Sequence, residues 1–142
     1  MSTPRNPFRD AVEARDVDAL EATLAGNVVF RSPAVYKPYE GRPATMVILR
    51  AVMRVFEDFR YVRETASADG RDHVLVFEAT VKGKELEGVD VLHLDDDGLV
   101  DDLRVLVRPL SGLNGLVEAM GEAIPEVLRE LGLDPGAGGA SA

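Results

Sequence analysis

The chain has 142 residues, 46% of them apolar, which suits one domain with a buried core and argues against a disordered chain. Its 25 acidic residues outnumber 16 basic ones, giving a net charge of −9, and no basic cluster exists to neutralise the phosphates of a nucleic acid. With no cysteine, disulfides, thiolate metal sites and cysteine nucleophiles are excluded. Neither an apolar signal core near the N-terminus nor a bilayer-length apolar run is present, so a soluble cytoplasmic protein without membrane partners is expected.

Asn6 before Pro7 predicts a helix start, with proline at the first helical position and Phe8, Ala11 and Val12 on one face. Asp16 or Asp18 caps a second short helix bearing Leu20 and Leu24, and Gly26 stops it. Residues 27–32 read as a short strand containing Val28, Val29 and Phe30, followed by a loop from Pro33 to Gly41. Pro43 opens a third helix to Phe56, apolar on nearly every side except Arg50, Arg54 and Glu57, so it must be buried on most faces. Strands are predicted over 59–66, 73–82, 86–94 and 99–108, with turns at Asp69-Gly70, Gly83-Lys84 and Asp97-Gly98. The C-terminal helix runs from Leu110 to Leu131, kinking or restarting near Gly121 to Ile124 because of Pro125, and Ser111 is placed to cap it. A single domain over 1–131 is followed by a frayed Gly/Ala tail over 132–142. The order predicts an α+β fold in which one curved antiparallel sheet wraps a long buried helix, with N-terminal helices and a C-terminal helix.

Asp90 breaks the pattern of its strand. The Gly83-Lys84 turn sets Phe77 opposite Asp90, Leu75 opposite Leu92 and Ala79 opposite Gly88. The Asp97-Gly98 turn sets Asp90 opposite Val105, Leu92 opposite Leu103 and Gly88 opposite Val107. One carboxylate then sits among Leu75, Phe77, Leu92, Leu103 and Val105, while the other face pairs Glu87 with Arg108 and His93 with Asp102. Such a carboxylate is either a general base of raised pKa in a dry pocket or a structural group satisfied by a tyrosine hydroxyl or an arginine.

Tyr36, Tyr39 and Tyr61 are candidate phenol donors at a cavity mouth, able to stabilise an enolate oxygen, or simply amphipathic packing at its rim. His73 shares the parity of the inner face and belongs either to the rim or to an exposed strand end. With His73 and His93 on opposite faces no zinc site forms, and Asp95-Asp96-Asp97-Gly98 is a hairpin turn rather than a calcium loop. Ser32 and Ser111 lack a histidine–acid arrangement, and the glycines form no phosphate loop.

The element order, the segment Phe8 to Leu20, and the stretches Phe30-Arg31-Ser32-Pro33, Tyr39-Glu40-Gly41 and Leu94 to Val100 resemble the nuclear transport factor 2-like superfamily. Within it the chain is most similar to the SnoaL-like group, which includes polyketide cyclases and is related to ketosteroid isomerases. The resemblance covers Phe8 to about Met120 and implies a cone-shaped domain with an apolar cavity, often dimeric through the outer sheet face. Members include isomerases, cyclases, epoxide hydrolases, dehydratases and non-enzymatic binders. The acid that the epoxide hydrolases and cyclases carry on the last strand is replaced here by Val105 or a neighbour, and the two-acid site of the isomerases is not reproduced.

The expected function is therefore proton transfer by Asp90, without a cofactor or metal, on a small apolar carbonyl compound. Tyr36 and Tyr61 assist, and Leu75, Phe77, Leu92, Leu103, Val105, Phe30, Met53 and Phe56 contact the ligand. The alternatives are a non-catalytic carrier of an apolar ligand and a dimerisation module. A homodimer is expected through Val74, Val76, Val89, Val91 and Leu106 on the outer face.

Overall fold

A computed structural model describes residues 5–133. Helix α1 (Pro7–Ala14) starts where Asn6 accepts a hydrogen bond from the Arg9 N–H at 3.2 Å, with Pro7 occupying a position whose N–H has no helical partner. Helix α2 (Val17–Ala22) is capped by Asp16, whose carboxylate accepts from the Ala19 N–H at 3.0 Å. It ends at Ala22 rather than at Gly26, and strand β1 (Leu24–Arg31) already holds that glycine. The Val100 N–H donates to the Thr23 carbonyl at 2.8 Å, so sheet pairing captures the chain before a glycine stop is needed. Gly26 and Asn27 are instead exposed in an irregular stretch between the Leu24–Val100 and Val29–Asp102 pairs.

The expected loop contains a short strand, β2 (Tyr39–Glu40), paired antiparallel with β1. Helix α3 (Arg42–Val55) buries Thr45, Met46, Val47, Ile48, Leu49 and Ala51, in keeping with its nearly all-round apolar surface. Strands β3 (Glu57–Ala66), β4 (Asp72–Val81), β5 (Lys84–Leu94) and β6 (Val100–Arg108) form the meander. The six strands lie in the order β2-β1-β6-β5-β4-β3, antiparallel except for β1 beside β6. The sheet is curved and unclosed, and the helices cover it around one hydrophobic core.

The β5–β6 register matches expectation, with Asp90 opposite Val105, Leu92 opposite Leu103 and Glu87 opposite Arg108. The β4–β5 register does not. The turn is Lys82-Gly83, both with positive φ (50° and 74°), so Leu75 rather than Phe77 faces Asp90, Phe77 faces Gly88, and Leu92 faces His73. A two-residue turn of this kind favours glycine at its second central position, which selects Lys82-Gly83 over Gly83-Lys84. The displacement is an even number of residues, so every side chain keeps its face. His93 lies opposite Asp102 as expected, but the bulge beside this pair turns the side chain of Asp101 toward His93, with Nδ1 and Oδ1 2.7 Å apart, while the Asp102 side chain pairs with Arg31.

Helix α4 (Leu110–Glu130) runs unbroken through Pro125, so it does not restart near Gly121. Proline removes one ladder bond, while Ala123, Ile124, Val127 and Leu128 stay buried against the core and hold the turns on either side. Ser111 does not cap it; Pro109 occupies the N-cap position. Gly132 (φ 75°) and Leu133 close this helix through bonds to the Arg129 and Leu128 carbonyls, and the rest of the expected tail lies outside the described residues.

Gly88 lies between its two neighbouring strands with no room for a side chain: a Cβ there would come within 2.4 Å of the Phe77 ring on β4 and 2.6 Å of the Leu106 carbonyl oxygen on β6. The backbone oxygen cannot swing aside. Gly88→Ala is therefore expected to displace Phe77 and to destabilise the fold by about 1–3 kcal/mol, measured by urea unfolding with an unchanged m-value.

Candidate active site

Asp90 lies on the inner face of β5, 8% exposed, and its Oδ2 accepts a hydrogen bond from the Tyr61 hydroxyl at 2.9 Å. Oδ1 has no hydrogen-bond partner among the described residues. Burial pushes the carboxyl from its ordinary 3.8 up to about 7, and the Tyr61 bond opposes that rise. Tyr61 itself, on β3 opposite Phe77, is raised well above its ordinary value, first by burial and then by the Asp90 charge. The two groups thus share a dry site in which the carboxyl, not the phenol, titrates near neutrality.

A cavity of about 110 Å³ opens in front of Asp90, its wall almost entirely apolar. Phe56, Phe59 and Phe77 pack as a cluster with centroids 5.0–5.6 Å apart, and Tyr61 meets Phe59 edge-on at 5.0 Å. Of the expected contacts, Phe30, Met53, Phe56, Phe77, Leu103 and Val105 line the cavity. Leu75 and Leu92 do not: they share the face but are wholly buried beyond Asp90, where the sheet is closed by its own core. Tyr36 is fully exposed and outside the cavity, because the loop before β2 turns it to solvent; Tyr39 lines the wall and packs on Phe30 at 6.1 Å. Tyr61 is buried below the mouth rather than set at it, and its hydroxyl is engaged by Asp90.

The lining also includes residues that sequence reasoning missed. Phe59 alternates with Tyr61 along the strand, so its inward face was open to the same parity rule. Arg15 carries no such signal. It caps α1 in the left-handed region (φ 54°) and stands at the mouth, its Nη2 donating to the Met53 carbonyl at 2.6 Å.

His73 is not at a rim but 1% exposed, with Nε2–H donating to the Gly70 carbonyl at 3.0 Å and Nδ1 3.7 Å from Glu64. Glu64 in turn accepts from Arg9 at 2.8 Å, and the Arg9 guanidinium lies 5.4 Å from the centroid of the Tyr61 ring. No cluster of metal-ligating side chains occurs among the described residues, and no described helix is long and apolar enough to cross a membrane.

The SnoaL-like domain model matches residues 7–102 of the chain. A steroid delta-isomerase from Pseudomonas aeruginosa is 43% identical, with a TM-score of 0.83, 90% of this chain covered and 99% of that one. An uncharacterised bacterial protein with a cystatin-like fold from Silicibacter pomeroyi is 32% identical, with a TM-score of 0.81, covering 89% of this chain and 88% of that one. An epoxide hydrolase/cyclase-like enzyme of pyran ring formation in salinomycin shares the fold at 22% identity and a TM-score of 0.59, over 74% of this chain and 86% of that one. No curated protein matches the sequence.

The raised carboxyl also bears on stability. Its folded value, about 7, lies above its ordinary 3.8, so folding disfavours the charged form. Stability from this group is fully present below its unfolded value and is lost as pH rises to about 7. At ~1.4 kcal/mol per tenfold, the loss is on the order of 4 kcal/mol. The difference in unfolding free energy between wild type and Asp90→Asn, measured by urea titration from about pH 4 to 8, is expected to move against wild type across that window and then level off.

Proposed function

The chain belongs to the SnoaL-like domain family, and from that membership and the geometry around Asp90 we propose that it is a cofactor-independent enzyme of proton transfer on a small apolar carbonyl compound. The observation that carries this reading is a carboxyl titrating at about 7, with Oδ1 free of any described partner, at the wall of an apolar cavity. A base of that strength is charged often enough at neutral pH to accept a proton and acidic enough to return it. Oδ1 removes a proton from the carbon beside the carbonyl, and the electron pair moves onto the carbonyl oxygen as an enolate. Once Asp90 is neutral its hold on the Tyr61 phenol weakens, and the O–H becomes available to the enolate oxygen. Returning the proton from Asp90 to another carbon gives isomerisation; attack of the enolate on a second carbonyl, whose oxygen takes that proton, gives cyclisation; loss of a β-hydroxyl together with that proton, as water, gives dehydration.

The isomerase name of the 43%-identical Pseudomonas relative supports this class of chemistry. The Tyr61 bond also fits a second reading, a non-catalytic pocket in which Asp90 anchors a polar atom of the ligand. Exchange of α-hydrogens separates them. With cyclohex-3-enone in D2O followed by NMR, wild type is expected to catalyse exchange at a rate that rises with pH and levels off above about 7. Asp90→Asn retains an acceptor for Tyr61 and should remain folded, with Tm no lower than that of wild type at neutral pH, while losing exchange by about 10²–10⁴-fold. Equal exchange in both proteins rules out Asp90 as the base.

The same family reading extends to assembly through the outer face of the sheet. Val62 and Leu106 are 50% and 52% exposed there, beside half-buried Val74, Val76, Val89 and Val91. Arg60–Glu78 and Arg108–Glu87 ion pairs border this apolar strip, the layout of an interface centre with a polar rim. Light scattering at micromolar concentration is expected to give twice the chain mass, and Leu106→Glu to return the single-chain mass. A single-chain mass for wild type ends the dimer proposal.

A further inference from the structure

The cavity constrains its ligand more tightly than proton transfer alone does. At about 110 Å³ the enclosed space is of the same order as, and no larger than, the roughly 150 Å³ that admits benzene in an apolar protein interior, so it encloses at most one small ring or a short branched chain and not a whole fused-ring skeleton. The Phe56, Phe59 and Phe77 cluster closes it on one side and helices α3 and α4 on the other, so extra length must emerge at the mouth. Arg15 stands there. It is the cationic residue of the lining, and its guanidinium forms no ion pair with a described carboxylate. One N–H holds the Met53 carbonyl at the last turn of α3, which orients the group, and the remaining N–H donors have no partner among the described residues. Arginine presents its donors in a fork that matches a carboxylate.

Resting on the proton-transfer role of Asp90, we propose that the ligand is a ring-sized carbonyl compound bearing a carboxylate, its carbonyl end against Tyr61 and Asp90 and its carboxylate on Arg15. The apolar middle then displaces poorly held water, and each polar end meets a group of matching character. Arg15 is the residue that sets specificity, since a neutral ligand of equal size leaves its donors in water.

The test uses two cyclohex-3-enones, one with a ring carboxylate and one with its methyl ester, with the full chain as wild type, Arg15→Gln and Arg15→Lys. Affinity is read by titration calorimetry and conversion to the conjugated enone by ultraviolet absorbance. Wild type is expected to bind the acid at least about tenfold more tightly than the ester, the size of one charge-assisted contact. Arg15→Gln should bring that ratio near one, and Arg15→Lys should restore part of it. A ratio near one in wild type, or an unchanged ratio in Arg15→Gln, overturns the proposal while conversion that depends on Asp90 leaves the catalytic reading standing. A β,γ-unsaturated steroid ketone binding as tightly as the acid overturns the size limit. Failure of both cyclohexenones to bind overturns this inference, while the exchange comparison of wild type with Asp90→Asn decides the catalytic reading separately.

Discussion

The hydrogen bond from Tyr61 to Asp90 is the point on which the rest of the site depends. A carboxylate placed in an apolar wall must find a donor or take up a proton, and one phenol can satisfy only one of its two oxygens. Burial, opposed by this one bond alone, leaves the carboxyl titrating at about 7, whereas an arginine in the same place would hold it charged. Every strand of the central meander contributes to this arrangement: β3 brings Tyr61, β4 sets Leu75 beneath the carboxyl, β5 carries it, and β6 covers its side with Val105.

The geometry of Tyr61 is itself held by an irregularity. The β3–β4 pairing slips between Tyr61 and Arg63, leaving Val62 exposed and turning Glu64 inward opposite Leu75. Glu64 then receives Arg9 from α1 and lies beside His73, so the first helix is pinned to the sheet by a partly buried ion pair. Arg9, fixed in this way, covers the face of the Tyr61 ring and limits where the phenol can point. The slip costs a break in regular pairing at a strand on the sheet edge, where few ladder bonds are at stake.

Much of this was open to sequence reading because it follows from local rules. Asn6 and Asp16 were legible as caps because their side chains reach N–H groups three residues on. The face of Asp90 was legible because alternation survives an even shift of register; the two-residue error at Lys82-Gly83 left Phe77, Leu92 and Leu103 on the correct side. Alternation failed where residues were inserted into a strand: plain parity over 59–66 sends Glu64 outward, and the bulge at Val62 reverses it. From the sequence Tyr36 rather than Tyr39 was the expected helper of Asp90, and the pairing of Tyr39 in β2 with Phe30 in β1 drew the other tyrosine inward.

Within its own residues the sequence determined the α+β order of elements, the meander of hairpins, the long apolar helix and one carboxylate set among apolar neighbours. These are consequences of periodicity, capping and turn chemistry, which act over a few residues. Tertiary structure decided the parallel pairing of β1 with β6, which no turn encodes, and the depth at which the core stops and the cavity begins. It separated Leu75 and Leu92, sealed in the core, from Val105 and Phe77 at the cavity wall, although all four obey the same alternation. It also brought Arg15 from the end of α1 to the last turn of α3, a contact between residues far apart in the chain whose partner is a backbone carbonyl. A backbone carbonyl is common to every residue type, so no pattern of side chains could have announced it.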